Sequence, residues 1–384
     1  MYSISDYGGM MTDSVRSDAY AQALRQAITP DSVVLDLGTG TGIFAVLACR
    51  FGARHVYAVE PDNAILVARE VAKVNGYAER IEFIQDISTQ VTLPERVDVI
   101  ISDLRGALSL HGTHIPSIVD ARHRFLAPGG LLIPQSDTLW VGLVNAPELY
   151  RRYETPWLSN KYELNMRPAR DYVINTWKSG RVSAEQLLVT PKCWARIDYY
   201  AVEDSNFRAE LTWTVTKAGT THGLIIWFDS VMMEDIGFSN APGSPNPCTV
   251  YGSAFFPLLE PLSLRAGDQV SVRLEVNLVG GVYLWRWQTS LSDQGYPDRE
   301  RVSFRQSTFN SDPLSLARMH KGASNFVPEL NEDGQIKQLA LSLMDGHRSL
   351  EEISRRVAAQ FPERYPNWED ALPRIGKFSG KYSQ

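Results

Sequence analysis

The sequence is poor in several features that would have placed it quickly. Only three cysteines, Cys49, Cys193 and Cys248, occur in 384 residues, and none has C-x-x-C spacing, which argues against a disulfide framework and a structural zinc site. No run of about 18 apolar residues is present, and the opening MYSISDYGG has neither the basic nor the apolar region of a secretory leader. A soluble, cytoplasmic protein without a membrane partner is expected. Basic charge is not in excess either: 38 Lys and Arg stand against 44 Asp and Glu, a net charge of -6, so no global field would hold nucleic acid. There is no internal repeat and no low-complexity tract. One loop, SDLRGALSLHGTHIP at 102–116, contains no glutamate at all.

What is present is ample apolar material, 44% hydrophobic and 10% aromatic residues, enough for two or three domains. From residue 31 to 135, short β-branched runs (VVLDLG, VYAVE, IEFIQ, VDVIIS) alternate with helical patterns such as AILVAREVAKVNG. Strands alternating with helices of that length imply βαβ units and a parallel, Rossmann-like sheet. After Pro134 the rhythm changes. ARIDYYAV, RAELTWTVT, GLIIWFDSV, QVSVRLEVNLV and GVYLWRWQT alternate polar and apolar residues between turn formers, so 136–325 is expected to be an antiparallel, β-barrel-like domain. Within it, the Tyr- and Arg-rich stretch 147–172 is less regular. Residues 1–30 read as an N-terminal helical segment and 326–384 as a small helical module with an Asp345-Gly346 turn.

LDLGTGTG, residues 35–42, places three glycines between an apolar strand and a helix. Glycine is required where backbone turns sharply and approaches a ligand, because a Cβ would obstruct it. The loop alone leaves a dinucleotide and a methyl donor both open. The dinucleotide fingerprint wants a glycine at position 43, which is Ile43, whereas Gly38, Gly40 and Gly42 follow Asp36. Glu60 ends the second strand about 20 residues on, where a carboxylate can accept hydrogen bonds from ribose hydroxyls or simply sit in solvent. Asp86 ends the next strand, as a ligand contact or a turn residue. Thr39 in the loop, Pro61 after Glu60 and Ile87 after Asp86 complete the expected cofactor set.

YSISDYGGMMTDSVRSDAYAQAL, LDLGTGTGIFAVLACRFGARHVYAVE and LPERVDVIISDLRG, in that order, resemble the protein arginine methyltransferases over roughly residues 2–325. The resemblance implies a class I methyltransferase using S-adenosyl-L-methionine. Arg16 in TDSVR would meet the donor's carboxylate, which a guanidinium binds bidentately. It also implies a head-to-tail homodimer formed through an arm, for which 147–172 is the candidate.

The loop 102–116 departs from the family. There, a glutamate after the strand and another nine residues on hold the substrate guanidinium. Here the positions are Asp103 and Gly112. The family's Thr-His-Trp run is matched by Thr249, Val250 and Tyr251, so its histidine is missing too. A charge-assisted hydrogen-bonded pair is worth roughly 1.5–3 kcal/mol, which puts arginine as acceptor in doubt. Asp103, His111 and His114 are the catalytic candidates, with Asp103 also bordering the cofactor. An imidazole titrating near pH 6.5 can take a proton, although loop histidines are more often solvated or capping. Arg105 could hold an acceptor's carboxylate or phosphate. Metal binding by His111 and His114 lacks further ligands.

The expected function is methyl transfer to a nitrogen or oxygen of a peptide, protein or small-molecule acceptor. A small-molecule N- or O-methyltransferase and an inactive donor-binding scaffold are the alternatives. In the tail, Ser349 and Glu352 have capping-box spacing. The segment resembles the helical half of PqqD-like peptide-recognition domains, which would bind a peptide by strand addition, and reads equally as a helical cap.

Overall fold

The computed structural model describes residues 3–295 and 299–383. Met1 and Tyr2 of the expected N-terminal segment, residues 296–298 of the expected β domain and Gln384 of the expected helical module lie outside the described residues. Two compact units result, Met1–Pro313 and Leu314–Gln384.

The first unit begins with helices α1 (Ile4–Thr12) and α2 (Ser14–Ala27), joined at Asp13, whose Oδ1 accepts the Arg16 backbone N–H at 3.1 Å and caps α2. There follow β1 (Val33–Leu37), α3 (Ile43–Arg50), β2 (His55–Val59), α4 (Ala64–Val74), β3 (Ile81–Ile84), β4 (Val97–Ser102), α5 (His114–Phe125) and β5 (Leu126–Ile133). The five strands form a parallel sheet in the order β3-β2-β1-β4-β5, a Rossmann-like arrangement. VVLDL of β1 is buried throughout because helices cover both faces of such a sheet. The order reverses between β1 and β4, where Leu37 pairs with Ser102, and a crevice opens beyond the carboxyl ends of strands at such a point. Gly38, Glu60 and Asp103, each the first residue after its strand, therefore share one rim.

The chain continues through β6 (Ser136–Val144), α6 (Pro147–Leu158), α7 (Arg167–Val173), β7 (Lys178–Gly180), β8 (Lys192–Asp198), β9 (Phe207–Thr214), β10 (Gly219–Met233), β11 (Ile236–Ser239), β12 (Ser253–Leu264), β13 (Gln269–Val279), β14 (Val282–Ser292) and β15 (Glu300–Ser307). Antiparallel pairing orders them as β7-β12-β10-β6-β8, with β11 against β10, and β15-β14-β13-β9. Phe256 on β12 meets Trp285 and Trp287 on β14, with ring centroids 5.0 and 5.2 Å away, so the barrel-like core is filled by aromatics from both sheets.

In the second unit α8 (Leu316–Lys321) has no buried residue, and α9 (Glu332–Ser342), α10 (Leu350–Gln360) and α11 (Trp368–Tyr382) surround a core that includes Ile336, Ile353, Val357 and Ile375. Ser349 and Glu352 cap α10 reciprocally, with the Ser349 N–H donating to Glu352 Oε2 at 2.8 Å. Its described residues form no strand, so the unit has no sheet edge of its own to which a peptide could add. Among the described residues no helix is long and apolar enough to cross a membrane.

Candidate active site

A cavity of about 740 Å³ opens at the rim where β1 and β4 end. The glycine loop forms its floor. Gly38 and Gly40 have φ of +78° and +55°; a Cβ on Gly38 would stand 2.3 Å from Leu104 Cδ2, and one on Gly40 2.4 Å from the Tyr7 ring. Only glycine fits between this loop and its neighbours. Glu60 fixes the loop: its Oε2 accepts the Gly40 N–H and its Oε1 the Asp62 N–H, each at 3.0 Å. Burial nonetheless raises its carboxyl above the usual range. Glu60, Pro61 and Asp62 line the cavity, and Tyr7, Gly9 and Met10 of α1 cover it.

The opposite wall is built around Asp103. Its Oδ2 accepts Arg16 Nε at 2.6 Å and Nη2 at 2.5 Å, and its Oδ1 accepts the Tyr251 hydroxyl at 2.6 Å and Arg105 Nε at 3.3 Å. Burial would raise this carboxyl, but Arg16, Arg105 and the Tyr251 hydroxyl more than reverse that and hold it at about 2. Tyr251 stands where the resembled family has tryptophan, and it, not the preceding position, reaches the acid. Asp13 ties the N-terminal segment to the same wall, its Oδ2 accepting Val250 N–H at 2.7 Å and Thr249 Oγ1 at 3.1 Å.

Arg105 is used differently from the sequence expectation that it could hold an acceptor's anion. Its side chain is wholly buried and its N–H groups are taken internally. Nη1 donates to Asp137 Oδ1 at 2.9 Å and Ser230 Oγ at 2.6 Å, and Nη2 to the Tyr20 hydroxyl at 2.5 Å. Asp137, fully buried on β6, also accepts the Tyr199 hydroxyl at 2.7 Å and the Ser109 hydroxyl. This network stitches the 103–111 loop to the β domain.

Of the expected site residues, Gly38, Glu60, Pro61, Asp103 and His111 line the cavity. Arg16 lies behind Asp103, and Gly40 and Gly42 shape the loop, a Cβ on Gly42 standing 2.8 Å from Ala68 Cβ. Asp36 is buried beneath it and accepts the Thr39 hydroxyl at 2.6 Å; burial lifts its carboxyl to about 7. Neither it nor Thr39 is among the lining residues, and the exposed Asp86 and Ile87 at the tip of β3 lie outside the lining too, Asp86 Oδ1 accepting the Ile87 N–H at 2.7 Å. His111 sits at the mouth, its imidazole basicity lowered by burial. His114 turns inward: Nε2 bonds the Tyr199 hydroxyl at 2.8 Å, Nδ1 has no partner among the described residues, and burial followed by the charge of Arg105 lowers it to about 3. No group of side chains suited to a metal occurs among the described residues. Sequence reasoning missed Asp13, Tyr20 and Asp137; only Asp13 had a local signal, as the acid three residues before Arg16 in TDSVR.

Residues 19–134 match the family model of the ribosomal protein L11 methyltransferase (PrmA), and residues 135–279 that of the arginine methyltransferase oligomerization subdomain. "Probable protein arginine N-methyltransferase 6.1" of Oryza sativa subsp. indica is 31% identical over 260 residues, 64% of this chain and 68% of that one. The chain belongs to the protein arginine methyltransferase family. It spans 55% of the length of another family member, "Probable protein arginine N-methyltransferase 6" of Arabidopsis thaliana, at 29% identity over 62% of itself. In fold it is similar to the solved protein arginine methyltransferase 10 of Arabidopsis thaliana, with a TM-score of 0.70, 24% identity, and 79% and 97% of the two chains covered. The Trypanosoma brucei PRMT1 enzyme-prozyme heterotetrameric complex with AdoHcy is similar at a TM-score of 0.67 and 23% identity, over 78% of this chain and 95% of that one.

Proposed function

We propose that the chain is an S-adenosyl-L-methionine-dependent methyltransferase acting on a nitrogen or oxygen acceptor bound against the 103–111 loop. The observation that carries this is the one cavity that Gly38 of the glycine loop, Glu60 and Asp103 line together at the switch point of the parallel sheet. The residues fit the donor. A volume of about 740 Å³ suits a nucleoside joined to an amino acid, and the lining carboxylates of Asp6, Glu60 and Asp62 suit a ligand carrying ammonium and sulfonium charge.

When bound, the donor supplies an electrophilic methyl group. Gly38, Gly40 and Gly42 let it approach backbone, Glu60 holds its ribose, and Arg16 leaves Asp103 to meet its carboxylate. Tyr7 and Met10 exclude water from above. Asp103 orients the acceptor and His111 receives its proton. Asp36 and Thr39 support the loop from beneath, and Asp86 and Ile87, exposed at the tip of β3 and outside the cavity lining, would meet the adenine only beyond that lining. His114, held by Tyr199, is a positioning residue. The exposed Leu158 at the end of α6, with Tyr162 and Leu164 between α6 and α7, supports an arm that pairs two copies. A second reading, a donor-binding subunit that does not transfer, is favoured by the internal pairing of Asp103 and by Gly112.

Calorimetric titration with S-adenosylhomocysteine tests the assignment. Binding is expected in the wild type and in Asp103→Ala, and at least tenfold weaker in Glu60→Ala. Equal affinity in the Glu60 variant would remove the central assignment.

A further inference from the structure

The Arg105 guanidinium lies inside a cage that has every mark of a guanidinium-binding site. Its carbon stands 5.2 Å from the Phe228 ring centroid, 5.3 Å from Phe238, 5.8 Å from Tyr251 and 5.9 Å from Tyr20. Aromatic faces around a planar cation are a recurrent means of recognising it. Two carboxylates, Asp103 and Asp137, and two hydroxyls, Ser230 and Tyr20, take its N–H groups. Two walls of this cage, Asp103 and Tyr251, are also walls of the large cavity.

We infer that Arg105 is a built-in occupant of the guanidinium slot beside the acceptor position, and that it restricts the acceptor to an uncharged N–H or O–H nucleophile. The inference rests on the methyltransferase reading for the place of the acceptor. Charge balance carries it. Arg16 and Arg105 already neutralise Asp103 and Asp137, so the wall has no charge left to offer a cation. When the donor draws Arg16 away, the charge freed on Asp103 is offset by the donor's own sulfonium and one of its oxygens can accept a hydrogen bond, while Arg105, sealed among four rings, stays paired with Asp137. A second cation there would meet no unpaired carboxylate and would forgo the roughly ten- to hundredfold in affinity that a charge-assisted pair supplies. Gly112, with φ +47° and no neighbour within 4 Å of its would-be Cβ, adds no compensating acid.

An uncharged acceptor needs no such clamp. Its lone pair bonds to the methyl carbon as the S–CH3 electron pair returns to sulfur, leaving a neutral thioether. The acceptor's proton leaves through the His111 imidazole, which burial keeps neutral near pH 7.

Methylguanidinium and methylurea, nearly alike in shape and unlike in charge, test the slot by thermal shift on the full chain. Neither is expected to raise the melting temperature of the wild type at millimolar concentration. In Arg105→Ala, methylguanidinium is expected to raise it by several degrees and methylurea to leave it unchanged. An equal response of wild type and variant to methylguanidinium overturns the inference; so does no response in the variant. Should Arg105→Ala fail to fold, Arg105→Gln, which removes the charge and two heavy atoms, is expected to show a smaller upward shift with methylguanidinium and none with methylurea, and an equal response to the two overturns the inference. Transfer from labelled donor to a Gly-Arg repeat peptide gives the second arm, with no label expected on arginine in the wild type and label on arginine overturning the inference. S-adenosylhomocysteine titration stands apart from both. Its failure removes the methyltransferase reading and the acceptor restriction with it, whereas the methylguanidinium arm still decides what the slot recognises.

Discussion

Breaking the Arg105–Asp137 pair should cost far more than its exposed counterparts elsewhere in the chain, and a double-mutant cycle can isolate the amount. Asp137 is fully buried, with Arg105 Nη1 at 2.9 Å and the Tyr199 hydroxyl at 2.7 Å. Asp137→Asn keeps the shape and one carbonyl acceptor but turns an amide N–H₂ toward donors. It also leaves Arg105 with Asp103 alone, and Asp103 is already shared with Arg16. Removing one partner of a buried pair costs about 3–5 kcal/mol, because the desolvated charge that remains has no compensation. Arg105→Met, an apolar chain that the surrounding rings can pack, should cost a similar amount on its own. Together the two changes should cost about 2 kcal/mol or more less than their sum. Urea unfolding followed by tryptophan fluorescence reads this well, since of nine tryptophans only Trp368 lies in Leu314–Gln384. A loss below about 1 kcal/mol for Asp137→Asn, or additivity within about 0.5 kcal/mol, would refute the claim that the two charges depend on each other.

Three further outcomes are expected. Gly40→Ala should weaken S-adenosylhomocysteine binding at least tenfold, because its Cβ meets the Tyr7 ring at 2.4 Å, whereas Gly76→Ala, with φ +79° and open space around it, should carry only backbone strain and keep donor affinity. Unfolding measured across pH should show a His114 contribution that is fully present above about 6.5 and lost by roughly 1.4 kcal/mol per unit as pH falls toward about 3, since the folded imidazole resists protonation. His114→Gln should flatten that slope relative to wild type; Asp36, lifted to about 7, works in the opposite sense, stabilising below the ordinary carboxyl range and losing that contribution as pH rises to about 7. Ile353→Ala, in the small helical core, should cost about 2–5 kcal/mol and abolish slow hydrogen exchange in α9–α11.

Much of the parallel sheet was legible because βαβ units announce themselves locally. VVLDL, VYAVE and VDVIIS are apolar runs bounded by turn formers, and their order with the helices fixes the rim where Gly38, Glu60 and Asp103 meet. β12 was missed because Pro257 and Pro261 interrupt its pattern, and β6 because it follows the domain junction at once. The different placing of His111, in the cavity lining, and His114, turned inward, was not legible. Both lie in one loop and start of helix, and only the packing of Tyr199, from a strand end far along the chain, turns His114 inward. Arg105 shows the limit most clearly. Its surroundings come from residues 20, 103, 137, 228, 238 and 251, a set that no local spacing encodes.

Asp13 gives the site a mechanical property of its own. One carboxylate caps α2 through Oδ1 and anchors the strand-entering loop at 249–250 through Oδ2. The start of α2 and the wall behind Asp103 are thereby fastened to each other, and Arg16 Nη1 and Ser17 Oγ, both donating to the Met10 carbonyl at 3.3 Å, carry the connection back to the end of α1. The junction of the two helices is held to the β domain, while the roof residues ahead of it, Tyr7 and Gly9, can lift from the cavity without breaking the Asp13 contacts. Opening of the roof and release of the wall are therefore separable events.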